Sequence, residues 1–391
     1  MLGQPSEYVS CKFSAMPSFT STFYRLVPFY VLLLCACAED KPVAPPAPEP
    51  DASSHTACVY VLCEGLYGMN NTRLFAWNVR DGQVEPDIFS KVNQRGLGDT
   101  GNDLLLYGGK IYVVMSGSNT VEVIEAATAR SLRQIPFTNE AGLGRQPRYA
   151  CAAEGKVYVC CFDGSVIRID TASLQAEASV QAGSNPDGIC HSANKLYVSN
   201  SGGLSFPHYD STVSVIDRNS FTEKSRIAVG RNPYTIAADS RDYVYVCTRG
   251  DYDGLNQKSE AKREAYNFYR IDTQKDSVDR VYNIPVLDFC LYRDTAYLYN
   301  FDYNANTFWI GVFDLKTESF VSENFIRDGT KLQKPYSISV EPGTGKVYIG
   351  EAYNHLSSGS LYVFSPQGKM QSVLHGLGLN PTAMVFLQEK D

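Results

Sequence analysis

The stretch Gly183–Gly230, GSNPDGICHSANKLYVSNSGGLSFPHYDSTVSVIDRNSFTEKSRIAVG, reads as four short strands: Asp187–His191, Lys195–Asn200, Ser211–Asp217 and Glu223–Val229. Each alternates or runs apolar with β-branched and aromatic residues, and each is bounded by Gly, Asn, Asp, Ser or Pro. One such antiparallel sheet cannot cover both of its own faces, so it requires neighbours of the same kind.

The neighbours are present. An apolar-Tyr-apolar triplet marks the second strand of each unit at Tyr60, Tyr112, Tyr158, Tyr197, Tyr245, Tyr297 and Tyr348, with spacings of 52, 46, 39, 48, 52 and 51 residues. That period suits propeller blades and is too long for ankyrin, tetratricopeptide or leucine-rich units. No helix-period segment interrupts the copies. Prolines recur in the turn before the first strand, in Gln146-Pro147, Asn185-Pro186, Asn232-Pro233, Lys334-Pro335 and Asn380-Pro381. Proline lacks an N–H, so it fits the first residue of a strand and not its middle. After Pro381 only one strand remains, whereas the Tyr60 unit has no proline-led strand before it. The sequence therefore predicts an all-β, seven-bladed propeller of four-stranded antiparallel blades. It is closed by pairing of the C-terminal strand with the N-terminal blade, which removes exposed sheet edges.

The predicted organisation is a lipoprotein signal peptide over 1–37, a proline-rich tether over 38–55 and the propeller over 56–391. Arg25 precedes an apolar run, Leu26–Leu34, of signal-peptide length, followed by Leu34-Cys35-Ala36-Cys37; Met16 is an alternative start. Cys37 is the expected lipidation site and the membrane contact is through the lipid alone, placing the protein at the outer membrane facing the exterior. KPVAPPAPEPDASS (41–54) has the composition of an extended spacer. Net charge is −7, and no basic cluster alternates with aromatics, so nucleic acid is excluded as a partner.

The search for chemistry returns little. Gly96-Leu-Gly98-Asp-Thr-Gly101 has the letters of a dinucleotide loop but leads into a strand. Asp251-Tyr-Asp253-Gly254 opens like a calcium loop, yet Leu255 takes a ligand position. Eight cysteines beyond Cys37 match no zinc or redox spacing. Cys151, Cys190 and Cys290 fall at equivalent first-strand places, as small residues near the axis. No catalytic constellation, cofactor or metal is expected.

Chain direction places the proline turns and the loops after the second strands on one face, and those loops are long and decorated, whereas the opposite hairpins are short. Candidate ligand-binding residues on that face are Tyr67, Asn70, Asn102, Asp103, Arg145, Arg148, Tyr149, Asp187, His208, Tyr209, Arg231, Tyr234, Asp302, Tyr303, Tyr336 and Tyr353. Tyr, Asn, Asp and Arg together give rigid amphipathic surfaces with directional hydrogen bonds. Two other readings stay open: a propeller hydrolase or lactonase using Asp103, Asp187 and Asp288 as unpartnered axial carboxylates, and a surface scaffold or adhesin.

The run from Asn185-Pro186 through Lys195-Leu-Tyr-Val-Ser-Asn200 to Thr212-Val-Ser-Val-Ile-Asp217 resembles the YVTN, or YncE-like, β-propeller repeat. Val61-Leu-Cys-Glu64-Gly65, Gly98-Asp-Thr-Gly-Asn102-Asp103, and Ala38-Glu39-Asp40 after the lipidation cysteine resemble a Bacteroidetes surface-lipoprotein branch with Asn where Cys63 stands. That branch includes BtuG-type proteins. The resemblance implies capture of cobalamin and its delivery to a TonB-dependent outer-membrane transporter.

Overall fold

The computed structural model describes residues 54–251, 266–302 and 305–390. The signal peptide, Cys37, the tether up to residue 53, Tyr303 and most of the 251–254 turn lie outside them. The described residues form seven four-stranded antiparallel sheets. Blade one combines Ser54–Cys63, Arg73–Asn78 and Val84–Glu85 with the C-terminal Pro381–Lys390. Blade four is Pro186–Ser192, Lys195–Asn200, Thr212–Asp217 and Thr222–Ala228, within one or two residues of the sequence reading. Innermost strands of the other blades are Gly101–Tyr107, Pro147–Ala153, Pro233–Ala238, Asp288–Tyr292 and Pro335–Val340. The chain is a seven-bladed β-propeller.

The repeat marker has a single structural meaning. All seven anchor tyrosines are buried, at most 5% exposed, and each stands opposite a first-strand residue: Val385, Leu105, Cys151, Cys190, Ala237, Cys290 and Ser339 in blade order. Small residues dominate that row because the inner strands converge there. The cysteines are unpaired thiols. Burial pushes Cys160 up to about 12, so it stays protonated and packs as a small apolar group.

One element departs from the sequence reading. A short helix, Ile88–Asn93, lies in the connection from blade one to blade two, capped by Asp87, whose side chain accepts from Ser90 N at 3.2 Å. It buries Phe89 against Leu97 and Leu104 where the outermost strand is only two residues long. Six residues are too few to print a helical period in the sequence.

Pro381 pairs with Cys63 and Lys390 with Ser54, so the chain enters its first strand on the face opposite the proline turns.

Candidate functional site

The proline turns set the site. Pro147, Pro186, Pro233, Pro335 and Pro381 each open an inner strand. The residues before four of them, Gln146, Asn185, Asn232 and Asn380, have left-handed backbones (φ 45 to 56°), a conformation asparagine tolerates well. Immediately after the turn, the pairing with the second strand slips by a bulge: Pro147 to Ala150, Pro186 to Gly188, Pro233 to Ile236, Pro335 to Ser337 and, in blade two, Gly101 to Asp103. The bulged residues are Arg148 and Tyr149, Asp187, Tyr234 and Thr235, Tyr336, and Asn102. Bulges redirect side chains out of the pleat, and here they carry six of the predicted site residues.

These side chains tie neighbouring blades together around the axis. Gly101 N donates to Thr72 Oγ1 at 2.9 Å between blades one and two, and Asn102 Nδ2 to the Arg148 carbonyl at 2.7 Å between two and three. Arg148 Nε donates to Asp187 Oδ1 at 2.7 Å between three and four, and Ser199 Oγ to the Tyr234 carbonyl between four and five. Thr235 Oγ1 donates to Asp288, Tyr299 O–H to the Pro335 carbonyl at 2.7 Å, and Tyr336 O–H to Glu64, completing the circuit to blade one.

The three axial acids are therefore not unpartnered, which corrects the sequence reading. Asp103 Oδ2 accepts from Ala150 N at 3.0 Å, Asp187 holds Arg148, and Asp288 accepts from Thr235 and from Phe289 N at 2.7 Å. Burial pushes all three carboxyls up, Asp103 to about 6; the Arg148 guanidinium pulls Asp187 back, and the Thr235 hydroxyl Asp288. Burial likewise raises Glu64 against the Tyr336 hydroxyl and the charges of Arg148 and His355. Among the described residues no group of three or more His, Cys, Asp or Glu side chains is arranged to hold a metal.

Around these acids sit Arg148, Tyr149, Tyr234, Arg249 and Tyr336, contributed by several blades, which meet only at the axis. Tyr149 and Tyr234 share a hydroxyl contact at 2.9 Å with rings edge to face, 6.0 Å between centroids. Arg148 lies over Phe162 and Arg249 over Tyr234, 4.4 and 3.2 Å from the ring centres. A cavity of about 10 Å³ lined by Asp288, Tyr299 and Tyr336 has room for at most one water.

The other predicted residues lie outside this cluster. Arg145 binds Asp163 at 2.8 Å and Ser165, fastening the connector into blade three. Arg231 bonds the Pro207 carbonyl at 2.7 Å and Asp251 at 2.9 Å and flanks Tyr209, bracing the Ser201–Asp210 insertion that carries exposed His208. Tyr353 O–H meets Ser360 Oγ at 2.8 Å. Tyr67 and Asn70 are exposed on the first loop, and Asp302 caps Ala305 N at 3.0 Å in blade six. Glu64, Phe162 and Arg249 were missing from the sequence list; each follows a second strand, and that position is the signal that could have found them.

Apolar side chains complete the face. Tyr67, Met69, Leu143, Leu204, Phe206 and Leu356 are each more than half exposed, from 56% at Phe206 to 85% at Tyr67, and all six lie in loops on the proline-turn face. Among the described residues, the other exposed large apolar side chains, on outer strands or the short helix, reach at most 48%.

No protein-family model matches this chain, and no curated protein matches its sequence. Solved structures do match in shape. A quinonprotein alcohol dehydrogenase-like protein from Bacteroides thetaiotaomicron aligns with TM-score 0.56 at 13% identity, over 86% of this chain and 79% of that one. Hydrazine synthase from Kuenenia stuttgartiensis aligns with TM-score 0.53 at 15% identity, over 72% and 88%. The computationally designed Ika8 protein aligns with TM-score 0.52 at 13% identity, over 84% and 91%. At these identities the likeness is one of fold.

Proposed function

We propose that this chain is a non-enzymatic capture protein, lipid-anchored through Cys37 at the outer-membrane surface, that binds a large amphipathic ligand on its proline-turn face. Cobalamin is the first candidate, delivered to a TonB-dependent transporter. The observation that carries this reading is the concentration, on that one face, of the six most exposed large apolar side chains among the described residues, together with an axial mouth of guanidinium, carboxyl and phenol groups. A corrin offers a broad apolar plate for the first set and amide arms for the second. Entry of the chain at Ser54 on the opposite face leaves the loop face open when the N-terminus is anchored. The structural partners held by each axial acid favour capture over the hydrolase reading. Isothermal titration with cyanocobalamin tests the assignment: saturable heat supports it, and no heat at micromolar protein removes cobalamin as the ligand.

A further inference from the structure

A cavity of about 460 Å³ lies where the connector out of blade five passes the two outer strands of blade six. Its walls are Asn283, Ile284 and Pro285 from the connector, Trp309 from Thr307–Asp314, Phe320 from Ser319–Ser322, and Glu323 just beyond. The volume is that of a small-molecule site. None of these residues belongs to the inner strands that make the axial mouth.

The aromatic corner of this recess is held in shape. Trp309 and Phe320 stand edge to face, with 6.2 Å between ring centres and 73° between planes. Phe313 braces Phe320 at 5.4 Å. The strand beneath carries Gly311, where a Cβ would meet Trp309 Cζ3 at 2.7 Å and Phe320 Cε1 at 2.8 Å, so any larger residue would force the corner apart. Both rings are only half-buried and line the open space.

The polar lining is sparse and of one sign. Glu323 is exposed, and its carboxylate has no ion pair or hydrogen bond among the described residues; the Trp309 indole N–H likewise has no acceptor there. The Asn283 amide oxygen already accepts from Asn267 Nδ2 at 3.4 Å. No cationic side chain lines the cavity. The guanidiniums adjoining it in sequence are engaged elsewhere: Arg280 pairs with Glu318 at 3.2 Å, and Arg327 donates to Ser322 Oγ at 2.7 Å.

That combination selects the occupant. A sugar needs several fixed donors and acceptors around its hydroxyls, and the recess offers one free carboxylate and one free N–H. An anion would meet only like charge. A quaternary ammonium asks for no hydrogen bond: its charge is spread over methyl groups that sit against aromatic faces, tryptophan best of all. Ile284 and Pro285 cover its apolar remainder, and Glu323 supplies the opposite charge.

We propose that this recess binds a quaternary ammonium group, with Trp309 and Phe320 as two faces of an aromatic cage and Glu323 as the counter-ion. The site is separate from the ligand-capture face and stands independently of it.

In the full chain carrying Trp77→Phe, Trp309 is the only indole, so its fluorescence reports on the recess. It is titrated with choline chloride against sodium chloride at equal ionic strength, with 3,3-dimethyl-1-butanol, the neutral carbon isostere of choline, and with methyl glucoside. Choline should give a saturable change and bind about tenfold or more tighter than the isostere. Glu323→Gln, at an exposed position, should weaken choline by about two- to fivefold and leave the isostere unaffected. Co-sedimentation with phosphatidylcholine vesicles, reversed by choline, would assign the group to a lipid head; choline binding without co-sedimentation would assign it to a free solute, and either keeps the site. No saturable change with choline, equal affinity for the isostere, tighter binding of methyl glucoside, or an unaffected Glu323→Gln protein would overturn the proposal.

Discussion

The phenolic oxygens of Tyr149 and Tyr234 lie 2.9 Å apart, joining blades three and five across the inner strand of blade four. That strand carries Gly188, and a Cβ there would come within 2.5 Å of the Tyr234 carbonyl and 2.7 Å of Ser199 Oγ. Gly188→Ala is expected to cost about 1–3 kcal/mol by forcing the two inner strands apart. Tyr149→Phe, which removes one hydroxyl contact, should cost about 1 kcal/mol. Urea unfolding of both variants checks the order, and an unaffected Gly188→Ala protein would contradict the close approach.

Asp103 makes stability depend on pH. Burial raises its carboxyl from the ordinary aspartate value of 3.8 to about 6, so the folded state holds the proton more tightly than the unfolded one. Its stabilisation is complete below the unfolded value and is lost as pH rises through about 6. Between pH 5 and 7.5 this group alone should lower unfolding free energy by roughly 1–2 kcal/mol. Asp103→Asn keeps an oxygen for Ala150 N but has no proton to lose, and should flatten the profile by that amount. Identical slopes for the two proteins would refute the assignment.

The repeat was legible because burial writes a period. Seven tyrosines opposite seven first-strand residues must all be covered, and the prolines must open strands, so count, blade length and closure followed from spacing. The axial cluster was only half legible. Arg148, Tyr149, Asp187 and Tyr234 were found because they follow the prolines, but the bulges that turn them toward the axis leave no mark in the letters. Nor did the inter-blade partners, since Arg148 and Asp187 stand 39 residues apart and meet only once the ring closes.

Arg270 is buried in blade five, where it bonds Asp279 at 2.8 and 3.0 Å, reaches Glu318 of blade six at 2.6 Å and covers the Tyr243 ring. Arg270→Ala would leave Asp279 and Glu318 without that guanidinium, Glu318 keeping only Arg280 at 3.2 Å, and is expected to cost about 1–3 kcal/mol. A loss under 1 kcal/mol in urea unfolding would show that this network is dispensable.

Closure depends on Pro381–Lys390, which pairs along the whole of Ser54–Cys63 and buries Met384, Val385 and Phe386. A chain ending at Asn380 exposes that edge and opens the core. It should lose the cooperative thermal transition and aggregate, as followed by calorimetry and light scattering; a soluble protein with an unchanged melting temperature would rule out this closure.

The proposed ligand is captured on the proline-turn face. Titration of cyanocobalamin into the wild type, a Tyr67→Ser/Phe206→Ser variant on that face and a Lys275→Ala variant on an opposite hairpin tests it most directly. Saturable heat should be retained in Lys275→Ala and weakened about tenfold or more in Tyr67→Ser/Phe206→Ser. No heat with the wild type, or equal loss in both variants, would contradict the account.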